Sequence, residues 1–508
     1  MLFLALGVLL GGSLNRNIDP NEINNDQFSK MNDIIDVLDQ QYVDTIKRDQ
    51  LFEQTITDML HKLDPHSNYI PAADMKLANE QIDGKFGGVG IRFAVIRDTL
   101  CITNVIPGSP SEIAGIKAGD RIITIDKKKV AGKKMKNDQY MGMLKGTPNT
   151  RVKVELLRGK NYFAKEITRG IIPIPSIVCA EMIDESIGYI RLDQFSVSSS
   201  KEFHIAAQRL LKKGMKKLIF DLRDNGGGVL SGAVEISDEF IPSGRAIVEI
   251  RGKNQPKRPY RSTSGGLLEK IPTVLLINEN SASASEIVAG ALQDNDQATI
   301  IGRRSFGKGL VQQDFPLRDK SNLRLTIARY YTPSGRCIQR PFKKGYDEYY
   351  NHERDDYFAI DSSVFKNASK HLTVKGRTVY GGGGIMPDIF VALDTSNSSL
   401  YYVGLRYSPA FQHFAFDFVA NKRGTWKSLQ SYNAQFNVTP EMINQLTKYA
   451  ENELDLPINK KELKRSYDLI SRALKAEIAR QLFIEDGYFF VQASGDREIQ
   501  KALAFLRR

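Results

Sequence analysis

The chain has 508 residues, of which 41% are hydrophobic, and a formal net charge of +12. That length predicts about three or four domains, and the apolar content excludes a wholly disordered or fibrous chain. The basic residues are scattered among acids, and their densest run, residues 212–217, ends a predicted helix where cations complement the helix dipole, so nucleic acid is not an expected partner. Three cysteines at wide spacing, Cys101, Cys179 and Cys337, form no disulfide framework, and six dispersed histidines give no metal spacing. No cofactor and no metal are expected.

Residues 1–13 are strongly apolar but shorter than the roughly 20 residues a membrane span needs. They read as the remnant of an export signal or signal anchor, which predicts a periplasmic protein or one held at the inner membrane facing the periplasm. Residues 14–77 form an N-terminal helical region. It opens on a polar linker and carries helical apolar patterns at Phe28, Met31, Ile34, Ile35, Leu38, Tyr42 and at Leu51, Phe52, Ile56, Met59, Leu60, Leu63. Pro65 ends the second helix, because proline disfavours helix at the residue before it.

Residues 78–170 change to short strands with glycine turns. Gly87-Gly88-Val89-Gly90-Ile91 precedes a strand, a turn and short helix follow around Pro107 to Ile116, and Gly119-Asp120 leads into another strand. These parts in this order resemble a PDZ domain of the circularly permuted bacterial type. A glycine loop ahead of an edge strand leaves N–H groups to grip a terminal carboxylate while the strand pairs with the peptide. Gly88, Val89, Gly90 and Ile91 are the candidate peptide-binding residues. A phosphate loop would need a Gly-Lys-Ser/Thr ending, which is absent.

Residues 171–400 alternate strands and helices, which predicts an α/β core with helices covering a sheet. Strands are expected at residues 187–192, 218–223, 274–277, 298–302 and 324–331. Residues 401–508 read as a mostly helical C-terminal domain.

Three segments of the core carry chemistry. Ser283, in Asn280-Ser281-Ala282-Ser283-Ala284-Ser285-Glu286, stands between a buried strand and a helix start, where a side chain is exposed beside unspent backbone N–H groups. The plainer reading is a helix cap, with Ser283 and Glu286 as a capping box. Lys308 sits between Gly307 and Gly309 among Phe306, Leu310 and Val311, and desolvation there favours a neutral amine. Its plainer reading is a solvated turn. Gln312, four residues on, lies beside Lys308 in a helix or on its face in a strand. Gly226-Gly227-Gly228 lets backbone N–H groups approach a carbonyl oxygen. A serine attacks when a base takes its proton, and a neutral amine can be that base, so the set reads as a serine–lysine peptidase.

The segments Asp221-Leu222-Arg223-Asp224-Asn225-Gly226-Gly227-Gly228, Ser281-Ala282-Ser283-Ala284-Ser285-Glu286 and Ser305-Phe306-Gly307-Lys308-Gly309, together with Asp64-Pro65-His66-Ser67, the PDZ pieces, Thr332-Pro333-Ser334-Gly335 and Gly384-Ile385-Met386-Pro387-Asp388, resemble the C-terminal processing peptidases, also called tail-specific proteases. The resemblance covers roughly residues 30–395. It implies a multidomain α/β protein whose protease core is crotonase-like and Clp-protease-like, with an inserted PDZ domain. It implies Ser283 as nucleophile, Lys308 as general base, Gln312 as the residue orienting the lysine, and an oxyanion hole from the N–H of Ala284 with that of Gly227 or Gly228. The implied partners are proteins or peptides with free C-termini, and membrane attachment through the N-terminus and a homo-oligomer are compatible with it. Gly226 stands where the family often has proline and Ser305 where it often has threonine. The rival readings are a non-catalytic PDZ scaffold, an acyl-CoA enzyme of the crotonase-like kind, and a Ser–His–Asp hydrolase drawing on His204 or His352.

Overall fold

The computed structural model describes residues 25–342, 345–351, 357–358 and 368–508. The apolar residues 1–13, read as a signal or anchor, lie outside the described residues, as does His352. Among the described residues no helix is long and apolar enough to cross a membrane.

A six-stranded sheet organises the molecule, in the order Ile177–Met182, Ile187–Leu192, Lys217–Asp221, Thr273–Ile277, Ala298–Gly302, Ile389–Phe390. Its first two strands are antiparallel and the rest parallel. The apolar runs Leu218-Ile219-Phe220 and Val274-Leu275-Leu276-Ile277 have no polar face, which a strand covered on both sides requires. Leu218, Phe220, Leu275 and Ile277 pack under the helices Ser199–Lys212, Leu230–Asp238 and Ala284–Asp294. Ile219, Val274, Leu276 and Ile301 pack on the opposite face against Ile499, Ala502, Leu503 and Leu506 of the last helix, Arg497–Leu506. The C-terminal region is therefore a layer of the core as well as a helical bundle.

A second sheet holds the strand Asn322–Tyr331 at its centre, paired with Leu310–Pro316, Ala246–Arg251 and Asn68–Ile70. The N-terminal region, expected to be helical, thus also supplies a strand. After the helices Asn25–Gln41 and Arg48–His61, the Asp64 carboxylate accepts the N–H groups of His66 and Ser67, each at 2.8 Å. This turn points the following residues into the sheet. The helix Met75–Asp83 then runs past the expected start of the PDZ segment.

The PDZ-like segment is a five-strand path, Ile91–Ile96, Thr99–Val105, Arg121–Ile125, Arg151–Arg158, Asn161–Thr168, around Leu100, Ile102, Ile122, Val154 and Leu156. Lys85–Gly88 pairs with Gly170–Pro173 and closes the insertion at its neck. The long helix Tyr467–Ala493 breaks at Phe483 and Ile484, the latter at φ 51° and ψ −146°. There Glu485 pairs with Arg92 of the PDZ-like segment, and Asp486 accepts the N–H of Ala180 on the central sheet at 3.0 Å.

Candidate active site

Three serines follow the strand Thr273–Ile277, and the structure separates them. Ser281 Oγ donates to the Leu222 carbonyl at 2.8 Å, and Ser285 Oγ donates to the Asn225 carbonyl at 2.8 Å. Both hydroxyls stitch the segment to the glycine loop. Ser283 caps the helix Ala284–Asp294 without a side-chain cap bond. The Glu286 N–H meets the Ser283 carbonyl at 2.9 Å, and only the carboxylate half of the capping box is made, from Ser283 N to Glu286 Oε2 at 2.9 Å. Ser283 has φ 55° and ψ −112°, a conformation that costs a non-glycine residue about 1–3 kcal/mol. The capping interpretation therefore fails for the hydroxyl, which is left for other chemistry.

Glu286 joins this turn to the lysine segment. Its buried carboxylate accepts Ser305 Oγ at 2.5 Å and Gly307 N at 2.7 Å on Oε1, and Lys308 N at 2.8 Å on Oε2. Burial raises its pKa, against the pull of those four hydrogen bonds. The Ser305 hydroxyl also accepts the Ile385 N–H at 2.6 Å, a role a threonine would fill equally. The Tyr330 hydroxyl bonds the carbonyls of Lys308 at 2.7 Å and Ser283 at 3.1 Å.

Lys308 precedes the strand Leu310–Pro316, so the extended alternative is the one adopted, and a bulge between Val311 and Gln312 re-aims the glutamine. Lys308 Nζ donates to Gln312 Oε1 at 2.8 Å, while Gln312 Nε2 donates to the His66 carbonyl. Burial is the main cause lowering the Lys308 pKa, with the Arg324 charge adding to it and Asp64 and Glu286 opposing. The His66 ring meets the Tyr349 hydroxyl at 2.8 Å, and burial with the charge of Lys308 lowers its pKa to about 3.

Ser283, Lys308 and Gln312 share one cavity of about 330 Å³, walled also by Gly226, Gly228, Ala284 and Tyr330. The Ala284 N–H opens the helix and has no partner within it. Gly227 (φ 100°) presses on the serine turn so closely that a Cβ would lie 2.8 Å from that of Ser283. Its N–H donates to Asn225 Oδ1 at 2.8 Å, while Gly228 faces the cavity. His204 is not in that wall and pairs with Glu239 at 2.6 Å. Sequence reasoning missed Tyr330, His66 and Asn225 as parts of the site and saw Glu286 only as a cap.

Gly88, Val89, Gly90 and Ile91 lie where the neck strand passes into the edge strand. Gly90 (φ 82°) approaches Ser109 so closely that a Cβ would sit 2.2 Å from the serine's. Glycine is needed there.

Residues 186–345 match peptidase family S41, residues 87–167 the PDZ domain, residues 12–73 the N-terminal domain of the activating protease CtpB, and residues 401–485 a family of unknown function. The carboxy-terminal-processing protease of Bartonella bacilliformis is 38% identical over 352 residues, which is 67% of this chain and 80% of that protein. The carboxy-terminal processing protease CtpA of Bacillus subtilis is 35% identical over 65% of this chain and 70% of its own length. Among solved structures, a photosystem II D1 C-terminal processing protease aligns over 72% of this chain and 87% of its own, at 24% identity and a TM-score of 0.36. With its PDZ domain and its long match to these relatives, the chain belongs to the S41 family of C-terminal processing peptidases and is a serine protease.

Proposed function

We propose that Ser283 and Lys308 form the catalytic dyad of a peptidase that cuts proteins at or near C-terminal tails held by its PDZ domain. The observation that carries this reading is the pairing in one cavity of a serine hydroxyl spared from structural bonding and an amine whose burial favours its neutral form. A neutral Lys308 that donates one proton to Gln312 keeps its lone pair for the serine hydroxyl.

Ser283 Oγ attacks the peptide carbonyl while Lys308 takes its proton. The N–H groups of Ala284 and Gly228 receive the developing oxyanion, Gly228 being preferred because the N–H of Gly227 is spent on Asn225. The lysine then protonates the leaving amine, and the bond to it breaks. Water, deprotonated by the same lysine, hydrolyses the acyl-enzyme.

The PDZ groove at Gly88, Val89, Gly90 and Ile91 holds the tail carboxylate and pairs with the tail as an added strand. The mixed sheet under its helices is consistent with the crotonase-like and Clp-protease-like class. Export, or anchoring at a membrane through residues 1–13, is part of the same reading and rests on sequence. The exposed Met31, Ile34 and Val37 of the first helix support self-association.

The test is mass spectrometry of a reporter protein with varied tails, incubated with wild type, Ser283→Ala and Lys308→Ala. Cleavage confined to wild type and dependent on the last tail residues is expected. Full turnover by either variant, or indifference to the tail, overturns the proposal.

A further inference from the structure

Among the described residues, the edge strand Ile91–Ile96 pairs on one side only, with Thr99–Val105, through a two-residue turn in which Arg97 and Asp98 both have positive φ. The Gly90 carbonyl is bonded inward by the Ile106 N–H at 3.0 Å. By antiparallel alternation, Ile91, Phe93 and Val95 turn their N–H and C=O groups to the open edge. Ala94 and Ile96, on the opposite side-chain face, cluster with Cys101 and with Phe416 of the C-terminal helix Ala410–Val419.

That helix also carries His413, at the far end of the edge beside Val95. The Val95 carbonyl can only accept, so His413 Nε2 bears the proton of the 2.9 Å bond between them, and Nδ1 accepts from the Tyr449 hydroxyl at 2.6 Å. Burial lowers the imidazole pKa, which suits the neutral ring. The helix is pinned in place by Arg97–Asp417 at 2.7 Å, and Arg423 donates to the Thr103 carbonyl at 3.0 Å.

Accepting the tail-binding reading above, a tail added to this strand runs antiparallel to it, with its carboxylate at the glycine loop and its rungs at Ile91, Phe93 and Val95 in turn. We infer that His413 occupies the third rung, so that the groove pairs only about the last four residues of a tail and the chain upstream is turned out of the sheet. The C-terminal region thereby sets how much of a tail is read, and it frees the upstream segment to bend elsewhere.

The experiment uses the full chain carrying Ser283→Ala and free-acid peptides of one tail sequence, three to eight residues long. Affinity should rise to about four residues and then stay flat. Adding His413→Ala should leave the three-residue peptide unchanged and raise affinity for peptides of six or more by roughly three- to tenfold, the gain of one backbone rung. His413→Gln, whose amide can keep the bond to Val95, should follow the unsubstituted chain. Affinity that keeps climbing beyond six residues with His413 in place overturns the inference, and this series needs no His413 variant to fold. An equal gain at every length in His413→Ala also overturns it, because it reports a loosened domain rather than a freed rung. Amidated peptides binding as tightly as free acids would instead strike at the tail-binding reading itself.

Discussion

Ser283 and Lys308 give their backbone N–H groups to the same oxygen, Oε2 of Glu286, at 2.9 and 2.8 Å. The spacing of the nucleophile from the base is thus set by one buried carboxylate rather than by any contact between the two side chains. All four of its hydrogen bonds come from donors, two on each oxygen.

Glu286→Gln turns one acceptor oxygen into a donor nitrogen facing two donors. On the Oε2 side the nitrogen would strand the N–H groups of Ser283 and Lys308; on the Oε1 side it can donate to the rotatable Ser305 hydroxyl, but the Gly307 N–H is left unsatisfied at about 1–3 kcal/mol. The expected outcome is a chain destabilised by about 1–3 kcal/mol in urea unfolding, with a lowered kcat. Activity within threefold of wild type would show that the spacing is held elsewhere.

The serine and lysine segments could be read from the sequence because each is local. A buried apolar strand running into Ser281-Ala282-Ser283-Ala284-Ser285, and a lysine between glycines, carry their meaning within a few residues. Tyr330 could not, because it reaches Ser283 across 47 positions through strand pairing. Neither could His66, whose carbonyl meets Gln312 from 246 positions away. The strand Asn68–Ile70 is three residues long and has no alternation to detect. The run Leu218-Ile219-Phe220 did demand cover on two faces, and Ile499, Ala502, Leu503 and Leu506 have the spacing of a covering helix stripe, but only the tertiary structure matches one to the other.

The rate should rise with pH in a way that reports Lys308. In the proposed mechanism the neutral amine is active, so kcat/KM climbs as pH rises toward the lysine pKa and levels above it, at a pH below the usual lysine range. Gln312→Glu places a carboxylate where the amide oxygen now lies 2.8 Å from Nζ. An opposite charge at that distance favours the ammonium and moves the rising limb upward by about 1–3 pH units. A pH profile left unchanged by this substitution would remove Lys308 from the role of base.

His66, whose carbonyl holds Gln312, gives the site a stability signature of its own. Its pKa is lowered to about 3 in the folded chain and is near 6.5 when unfolded. Between those values the unfolded chain binds a proton that the folded chain refuses, so stability falls as pH drops from about 6.5 toward 3 and the loss is complete below the folded value. His66→Gln removes this contribution. Urea unfolding at pH 7 and pH 4.5 should show a smaller acid loss for the variant than for wild type, and equal losses would mean the ring is solvated and protonated like an exposed histidine.

The last helix should matter to both catalytic loops although it touches neither. Glu498 bridges Arg223, at the root of the glycine loop, and Arg303, which leads to Ser305 and Lys308. Its carboxylate is buried, and Arg303 has Glu279 as its other partner at 2.7 Å. Glu498→Ala leaves two buried guanidinium groups short of a carboxylate, a loss of about 3 kcal/mol. The neighbouring Ile499, Leu503 and Leu506 each add about 1.5–3 kcal/mol by burial against the sheet. Ending the chain at residue 495 should therefore expose Ile219, Val274 and Leu276 and yield aggregated protein, while Glu498→Ala should fold with a lowered Tm and a reduced kcat. A chain ending at residue 495 that stays soluble and fully active would show that the helix is an appendage and not the second cover of the sheet.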